Sequence, residues 1–328
     1  MTKVLVVGLG ATGRRVVEAL GRLDATFEVL VEDHRPEALA IVSARRHVGN
    51  RPWSEVKPDV VVLATPPGHV ELASHALSIG AHVVSLSDSV GDAEALPALG
   101  VAAVSADRRV VLGAGFAPGL TCLLARHGAT EFDIVDEIHM AKTGTAGPAC
   151  ARQHHAALSD DGRDWRDGRW EAFPGGSGRE LCWFPDPIGG VDCYRAALAD
   201  PLLLQPVFAE ARWITARVGA TRRDRATARL PMMRRPHGDA GDGAVRVEVR
   251  GRKGGRVDSV VLGCAARPSV AAAATAAVLV GELVASRCSG PLIGGLASQV
   301  SDPARMLAAL VGLGVRCSRF DGAAVGGR

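Results

Sequence analysis

The segment from residue 142 to residue 155 carries side chains that can bind an anion and move a proton. Lys142 is one of only four lysines among 38 lysine and arginine residues, and Thr143 and Thr145 follow it in a glycine-containing loop. Arg152 has the bidentate fork that suits a carboxylate. His154 titrates near neutral pH and suits proton transfer to or from an amine. We predict that Lys142 and His154 act in catalysis and that Arg152, Thr143 and Thr145 bind the substrate.

A third candidate for the proton is Asp88, which with Ser87 ends an apolar strand pattern. Asp88 could orient a substrate amine or a lysine, or it could simply cap the helix that follows. Lys142 could likewise be a solvated strand end. His154 and His155 are adjacent, so they point to different faces of a helix and lack the spacing of metal ligands. No metal site is predicted.

A glycine pattern near the N-terminus predicts a dinucleotide site. An apolar strand runs into Gly8, and a helical stretch begins after Gly13. The first glycine of such a pattern permits the tight turn, the second lets a pyrophosphate approach, and the third lets the helix pack on the sheet. An ordinary turn without a ligand is the alternative. The residues predicted to contact the pyrophosphate are Gly8, Gly10, Ala11, Thr12 and Gly13.

The end of the second strand carries acids where a dinucleotide fold binds the adenosine ribose, about 20 residues after the glycines. Glu32 and Asp33 favour NAD, because an acid repels a 2′-phosphate. Arg35 could pair with that phosphate, so NADP stays open. His69 could touch the cofactor or cap its helix. The other residues predicted to face the cofactor are Thr65, Pro66 and Gly115.

The order of elements predicts an α/β fold in two parts. Strand and helix patterns alternate through residues 1–118, which favours a Rossmann domain with a doubly wound parallel sheet. Residues 119–267 contain long strands with hairpin connections, which indicates an α+β substrate and dimerisation domain on a mostly antiparallel sheet. Residues 268–328 are predicted to form helices that return to the Rossmann domain.

The composition of the chain excludes several classes of protein. The 328 residues are 47% hydrophobic, and no apolar run reaches the roughly 20 residues of a membrane helix. A net charge of +3 is too small to suggest nucleic acid as a partner. Seven cysteines without C-x-x-C spacing, and no export signal, indicate reduced thiols and a cytoplasmic protein.

Together these motifs resemble the saccharopine dehydrogenase-like family of NAD(P)-dependent oxidoreductases. The resemblance rests on the N-terminal glycine pattern, on Ser87 and Asp88 after a strand, and on the late hairpin followed by an alanine-rich helix. The most specific element is Gly-Phe-Ala-Pro-Gly-Leu at residues 115–120. The resemblance implies a homodimer with hydride transfer at a carbon bonded to nitrogen, through an imine, on a small amino acid.

Two other functions stay open. The run from Ala64 to Val83 is similar to the glucose-fructose oxidoreductase-like family, which would imply a sugar or hydroxy-compound dehydrogenase. That family carries a catalytic lysine after this strand, where this chain has Ser87 and Asp88, which argues against sugar oxidation. A protein that binds NAD(P) without turnover is the third hypothesis, because no triad-like group of residues is evident.

Overall fold

A computed structural model describes residues 1–42, 46–47, 51–232 and 241–320. It contains a seven-stranded parallel sheet and a nine-stranded mixed sheet. The fold class expected from the sequence, a Rossmann sheet followed by an α+β part on a mostly antiparallel sheet, is confirmed. Its predicted boundaries at residues 118 and 267 stay predictions.

The first part of the chain alternates strands and helices. In chain order these are β1 (Lys3–Val7), α1 (Ala11–Leu23), β2 (Glu28–Glu32), α2 (Pro36–Ile41), β3 (Arg46–His47), α3 (Trp53–Val56), β4 (Val60–Leu63), α4 (Val70–Ser78), β5 (His82–Ser85), α5 (Val90–Ala95), α6 (Gly100–Ala106) and β6 (Val110–Leu112). The sheet order is β3-β2-β1-β4-β5-β6-β15, where β15 (Ile293–Gly295) comes from the last part of the chain, and all neighbours are parallel. Strands β1 and β4 are valine-rich and almost wholly buried, as expected for a sheet covered on both faces.

The second part of the chain builds the mixed sheet. Its elements are α7 (Leu120–Ala129), β7 (Ile134–Thr143), α8 (Pro148–Ala157), β8 (Gly162–Arg166), β9 (Arg169–Phe173), β10 (Glu180–Phe184), β11 (Gly189–Tyr194), α9 (Asp200–Leu204), β12 (Trp213–Gly219), α10 (Arg222–Thr227), β13 (Gly243–Lys253) and β14 (Arg256–Ala266). Strands β13 and β14 pair along their whole length as the predicted hairpin. The pairing of β7 with β12 is parallel, and the other pairings are antiparallel.

The last part of the chain returns to the parallel sheet. Its elements are α11 (Pro268–Val284), β15 (Ile293–Gly295), α12 (Leu296–Gln299), α13 (Pro303–Gly312) and β16 (Ser318–Arg319). The alanine-rich helix α11 is buried and packs against α1. Strand β15 adds a seventh strand beside β6. The sequence did not predict β15, because three residues that include two glycines carry no alternation.

Two further observations concern the environment of the protein. No helix in the described part of the chain is both long and apolar enough to cross a membrane. All seven cysteines are free thiols. The homodimer and the cytoplasmic location stay predictions from the sequence.

Candidate functional site

The three glycines after β1 meet different surroundings. A Cβ on Gly13 would lie 1.8 Å from the carbonyl oxygen of Gly8, and one on Gly8 would lie 2.9 Å from the carbonyl of Ala64. Gly8 also has a φ of +92°, which side chains rarely adopt. A Cβ on Gly10, by contrast, would meet nothing within 4 Å. Packing therefore requires Gly8 and Gly13, whereas the absence of a side chain at Gly10 leaves open space at the N-terminus of α1.

The start of α1 fits an anionic group such as a pyrophosphate. The helix is 13 residues long, its N-cap is Gly10, and its first turn contains no acidic residue. No side chain caps this end. The first amides of the helix and its dipole therefore favour a negative charge in the open space beside Gly10.

The two acids at the end of β2 have different partners. The carboxylate of Asp33 accepts a hydrogen bond from the Leu9 amide at 2.6 Å and from Arg35 Nε and Nη2 at 3.0 and 2.9 Å. Burial would raise the pKa of Asp33, but the hydrogen bonds from Arg35 and Leu9 outweigh it and hold that pKa well below its usual range. Glu32 instead accepts a hydrogen bond from Trp53 Nε1 at 2.6 Å. Asp33 is therefore the acid that contacts the glycine loop.

His69 lies beneath the loop that follows β4 and not on its surface. It is fully buried, and its ring nitrogens lie 2.8 Å from Ser85 Oγ and 3.0 Å from Thr65 Oγ1. Burial lowers the pKa of His69. The side chain makes no capping hydrogen bond to α4. His69 is the N-cap residue of α4 by its position, and its ring ties Thr65 to β5. A contact of His69 with the cofactor stays a prediction.

A narrow cavity of about 110 Å³ lies between the carboxyl ends of β4 and β5, the start of α1, and α8. We call it the narrow cavity. In an open α/β sheet, ligands bind at this edge of the strands. Six residues predicted as site residues from the sequence line the cavity: Thr12, Thr65, Pro66, Asp88, Gly115 and Lys142.

Asp88 and Lys142 meet in the narrow cavity although they come from different sheets. Lys142 Nζ lies 3.7 Å from Asp88 Oδ2 and donates a hydrogen bond to the Ala117 carbonyl at 3.1 Å. Lys142 is 7% exposed, so it is not a solvated strand end. Ser89, not Asp88, caps α5. Both side chains are therefore directed into the site.

The charge of Lys142 is maintained by its neighbours. Burial would lower the pKa of Lys142, but the nearby negative charges, of which Asp88 has the largest effect, raise the pKa above its usual value. Lys142 is thus an ammonium at neutral pH. It can donate a hydrogen bond or a proton, while the Asp88 carboxylate can accept one.

The structure adds two residues that the sequence analysis missed. Cys150 Sγ lies 3.8 Å from Asp88 Oδ2, and burial raises the pKa of this thiol to about 11, so it stays protonated. Asp200 is buried and accepts a hydrogen bond from Thr121 Oγ1. Burial raises the pKa of Asp200, and Lys142 counteracts part of that shift. Asp200 precedes a proline at the start of a short helix, so its sequence context resembles a helix start.

Helix α8 separates the narrow cavity from a second one of about 790 Å³, which we call the large cavity. Cys150 and Gln153 face the narrow cavity, whereas Ala151 and His154 face the large one. Helical spacing explains this, because residues three positions apart share a face. The loop before α8 is divided too: Lys142 lines the narrow cavity, while Thr143 and Thr145 line the large one.

The two remaining predicted residues lie away from Asp88. His154 lines only the large cavity, and burial lowers its pKa to about 4, so it is neutral at pH 7. Its Nδ1 is buried and has no hydrogen-bond partner among the described residues. Arg152 is exposed and lines neither cavity. The structure therefore separates His154 from the Asp88–Lys142 pair and does not bring Arg152 to the site.

In the part of the chain that the structure describes, no three histidine, cysteine, aspartate or glutamate side chains form a group that could hold an ion.

Comparison with known proteins identifies the fold of the chain but no protein of similar sequence. No family model and no curated protein matches the chain. Among solved structures, saccharopine dehydrogenase (L-Glu forming) from Saccharomyces cerevisiae superposes with a TM-score of 0.70 at 14% identity, over 98% of this chain and 100% of that one. The chain thus has a saccharopine dehydrogenase-like fold.

Two other structures share this architecture more distantly. DAP dehydrogenase from C. glutamicum, in complex with DAP, gives a TM-score of 0.52 at 12% identity and covers 91% of this chain and 94% of that one. An amine dehydrogenase from Mycobacterium smegmatis gives 0.52 at 13% identity and covers 92% and 98%. At these identities the similarity is one of fold.

Proposed function

We propose that the protein is an NAD(P)-dependent oxidoreductase that transfers a hydride to or from a small amino acid or the corresponding imine. The observation that carries this proposal is the Asp88–Lys142 pair, which projects from two sheets into a cavity that also contains Thr12 of the glycine-loop helix. The fold shared with saccharopine dehydrogenase and with an amine dehydrogenase supports it.

The chain's own residues would transfer one proton. A bound nicotinamide supplies the hydride chemistry, and the protein positions the reacting carbon against it. In the direction of oxidation the substrate carbon loses a hydride and its nitrogen loses a proton. Asp88 is the acceptor placed to take that proton, while Lys142 holds Asp88 in place and donates a hydrogen bond to the reacting group.

We propose NAD as the preferred dinucleotide. The guanidinium of Arg35 is already bound to both oxygens of Asp33, so it is less available to a 2′-phosphate. The Asp33 carboxylate at the same place would repel that phosphate. Calorimetric titration with NAD and with NADP tests this; tighter binding of NADP would contradict it.

A hydroxy-compound dehydrogenase is the second candidate, and one observation favours it. The sequence argument against this function was the missing lysine after β5, yet Lys142 brings an ammonium to within 3.7 Å of Asp88 from the other sheet. A lysine thus lies in the cavity after all. In the oxidation of a hydroxyl the dinucleotide would take the hydride and a base would take the proton. Lys142 could be that base only as a neutral amine, whereas the neighbouring acids keep the pKa of Lys142 high.

The dinucleotide site is tested by Gly10→Val. Because a Cβ at Gly10 meets no atom within 4 Å, the variant should fold, but its side chain fills the space assigned to the pyrophosphate. Calorimetry should show at least a hundredfold loss of dinucleotide affinity. Gly100→Val is the matched control, since Gly100 also starts a helix and has open space around it. Unchanged NAD binding in Gly10→Val would refute the site.

The reaction is tested by a substrate panel monitored through NAD(P)H absorbance. Amino acids should be oxidised, and polyols and hydroxy acids should not. Turnover of hydroxy compounds alone would establish the second candidate. Dinucleotide binding without turnover of any compound would leave a cofactor-binding protein and end both enzymatic proposals.

A further inference from the structure

The large cavity is lined by more cationic than anionic side chains, and its anionic side chains are already engaged. Three arginines and two aspartates line it. Asp192 lies 3.0 Å from Arg179 Nε. Asp224 Oδ2 accepts hydrogen bonds from the amide and the hydroxyl of Thr221, at 2.9 and 2.7 Å, in a capping box. Arg179 and Asp192 offset each other, so the single charge of Asp224 is left to oppose the remaining two arginines.

Those two arginines, Arg222 and Arg225, lie in the first turns of α10. Arg225 Nε donates to the Gly176 carbonyl at 3.0 Å, and its guanidinium lies 4.1 Å above the ring of Tyr194. These contacts hold the guanidinium of Arg225 in place, and its two terminal nitrogens can still donate hydrogen bonds. Arg222 makes no hydrogen bond or ion pair with any residue in the ranges that the structure describes. The arginines thus present free donors in a partly preorganised arrangement.

His154, on α8, contributes a polar group to the same cavity. Its Nδ1 is buried without a hydrogen-bond partner among the described residues. Burial lowers the pKa of His154 to about 4, and in the neutral imidazole with its proton on Nε2 the Nδ1 atom is an acceptor. A buried acceptor without a partner is costly, so a ligand that carries a donor would satisfy Nδ1.

We propose that the large cavity binds an anionic group of the substrate, together with a neighbouring hydrogen-bond donor, while the reacting carbon lies in the narrow cavity. Arg222 and Arg225 bind the anion through charge-assisted hydrogen bonds, and His154 accepts one from the donor beside it. The narrow cavity is below the roughly 300–1,000 Å³ of pockets that enclose a drug-sized ligand, whereas the large cavity lies within that range.

A ligand could extend from one cavity into the other past Gly144. This glycine lines both cavities, and its φ of +85° is one that glycine tolerates best. The assignment of the large cavity rests on the proposed function, because that function places the reacting carbon beside Asp88. If the large cavity binds the anionic group, the substrate is an anionic compound that is too long for the narrow cavity alone.

The test uses three probes on the full-length protein: glutarate, its neutral analogue glutaramide, and inorganic phosphate. Thermal melting and calorimetry are done at constant ionic strength, because exposed charges are screened by salt. Glutarate should bind and glutaramide should not. In Arg222→Met the affinity for glutarate should fall about tenfold, the loss expected for one charge-assisted hydrogen bond.

Arg223→Met is the matched control. Arg223 is exposed, lies next to Arg222 on α10, and does not line the cavity, so its removal changes the net charge equally. Affinity should be unchanged in this variant. Phosphate binding that depends on Arg222, without glutarate binding, would identify a phosphorylated rather than a carboxylated substrate. Equal weakening in both variants, or no binding of either anion, would overturn the proposal.

Failure of this proposal can be distinguished from failure of the proposed function. The binding assay requires neither dinucleotide nor turnover. If the protein binds anions through Arg222 but has no oxidoreductase activity, the proposed function is refuted and the anion site is supported. The opposite result is turnover of neutral amino acids with the same KM in Arg222→Met and Arg223→Met, and no binding of anions. That result would refute the anion site and support the oxidoreductase activity.

Discussion

The two cavities on either side of α8 differ in how their charged groups are balanced. In the narrow cavity the charges compensate one another, since the buried Lys142 lies 3.7 Å from the half-buried Asp88. In the large cavity Arg222, Arg225 and His154 Nδ1 lack such compensation among the described residues. A pair of opposite charges suits acid–base catalysis, whereas hydrogen-bond donors without a partner suit the binding of a charged ligand.

The largest effect is expected in the narrow cavity. Lys142→Met removes the cation that holds Asp88, so kcat should fall by about 10²- to 10⁴-fold, the range of a lost general acid–base group. Steady-state kinetics measures this, with Lys253→Met, at the β13–β14 turn, as the surface control. If Asp88 and Lys142 act as a unit, the double variant with Asp88→Asn should be little slower than either single variant. A kcat within threefold of the parent would contradict a catalytic role.

Most of the fold could be predicted from the sequence because its signals are local. The run of valines in β1 followed by Gly8 and Gly13, the hairpin at Gly254 and the alanine-rich α11 each combine a pattern with a turn residue. Two features that the sequence did not indicate have a common cause. Strand β15 and the buried Asp200 owe their roles to segments distant in sequence, so no local pattern marks them.

The site could be predicted in part, for a related reason. The residues proposed between 142 and 155 lie on different elements, with Lys142 on β7 and both Arg152 and His154 on α8, and they do not face one site. Lys142 lines one cavity, His154 lines the other and Arg152 faces solvent. Composition identified suitable side chains, yet their direction depends on the register of β7 and on where α8 begins. The arginines of α10 join them only through the fold of the mixed sheet.

The second-largest expected effect is on the pH dependence of stability, and it concerns His154 of the large cavity. Burial depresses the pKa of His154 from 6.5 to about 4, so its neutral form stabilises the folded state above pH 6.5. That stability is lost as the pH falls from 6.5 towards 4, because the unfolded chain binds the proton first. His154→Gln should remove about 2–3 kcal/mol of this pH dependence.

Urea unfolding at pH 7 and at pH 4.5 measures the difference, with His155→Gln as the neighbouring control. His82 also has a depressed pKa of about 4, but it contributes equally to the parent and to both variants. The same pH dependence in His154→Gln as in the parent would show that His154 is not the buried neutral histidine of the large cavity.

A smaller effect concerns the charge balance of the narrow cavity. Asp88→Asn removes the negative charge that contributes most to the raised pKa of Lys142, so that pKa should fall. The chain has only four lysines, so a protein labelled with isotopic lysine gives four resonances to follow by NMR, and Lys142→Met assigns the one of interest. An unshifted Lys142 resonance in Asp88→Asn would show that the pair is not electrostatically coupled.

The smallest effect is expected where the sequence and the structure disagree most directly. Arg152 was assigned to a substrate carboxylate because of its residue type, but its side chain is exposed and lines neither cavity. Arg152→Ala should therefore change KM less than twofold and the free energy of unfolding by less than about 0.5 kcal/mol. An increase in KM for anionic substrates comparable to that of Arg222→Met would return the anion site to α8. The exposed Arg222 would then have no part in binding, and the large cavity would not be where the substrate's charge is recognised.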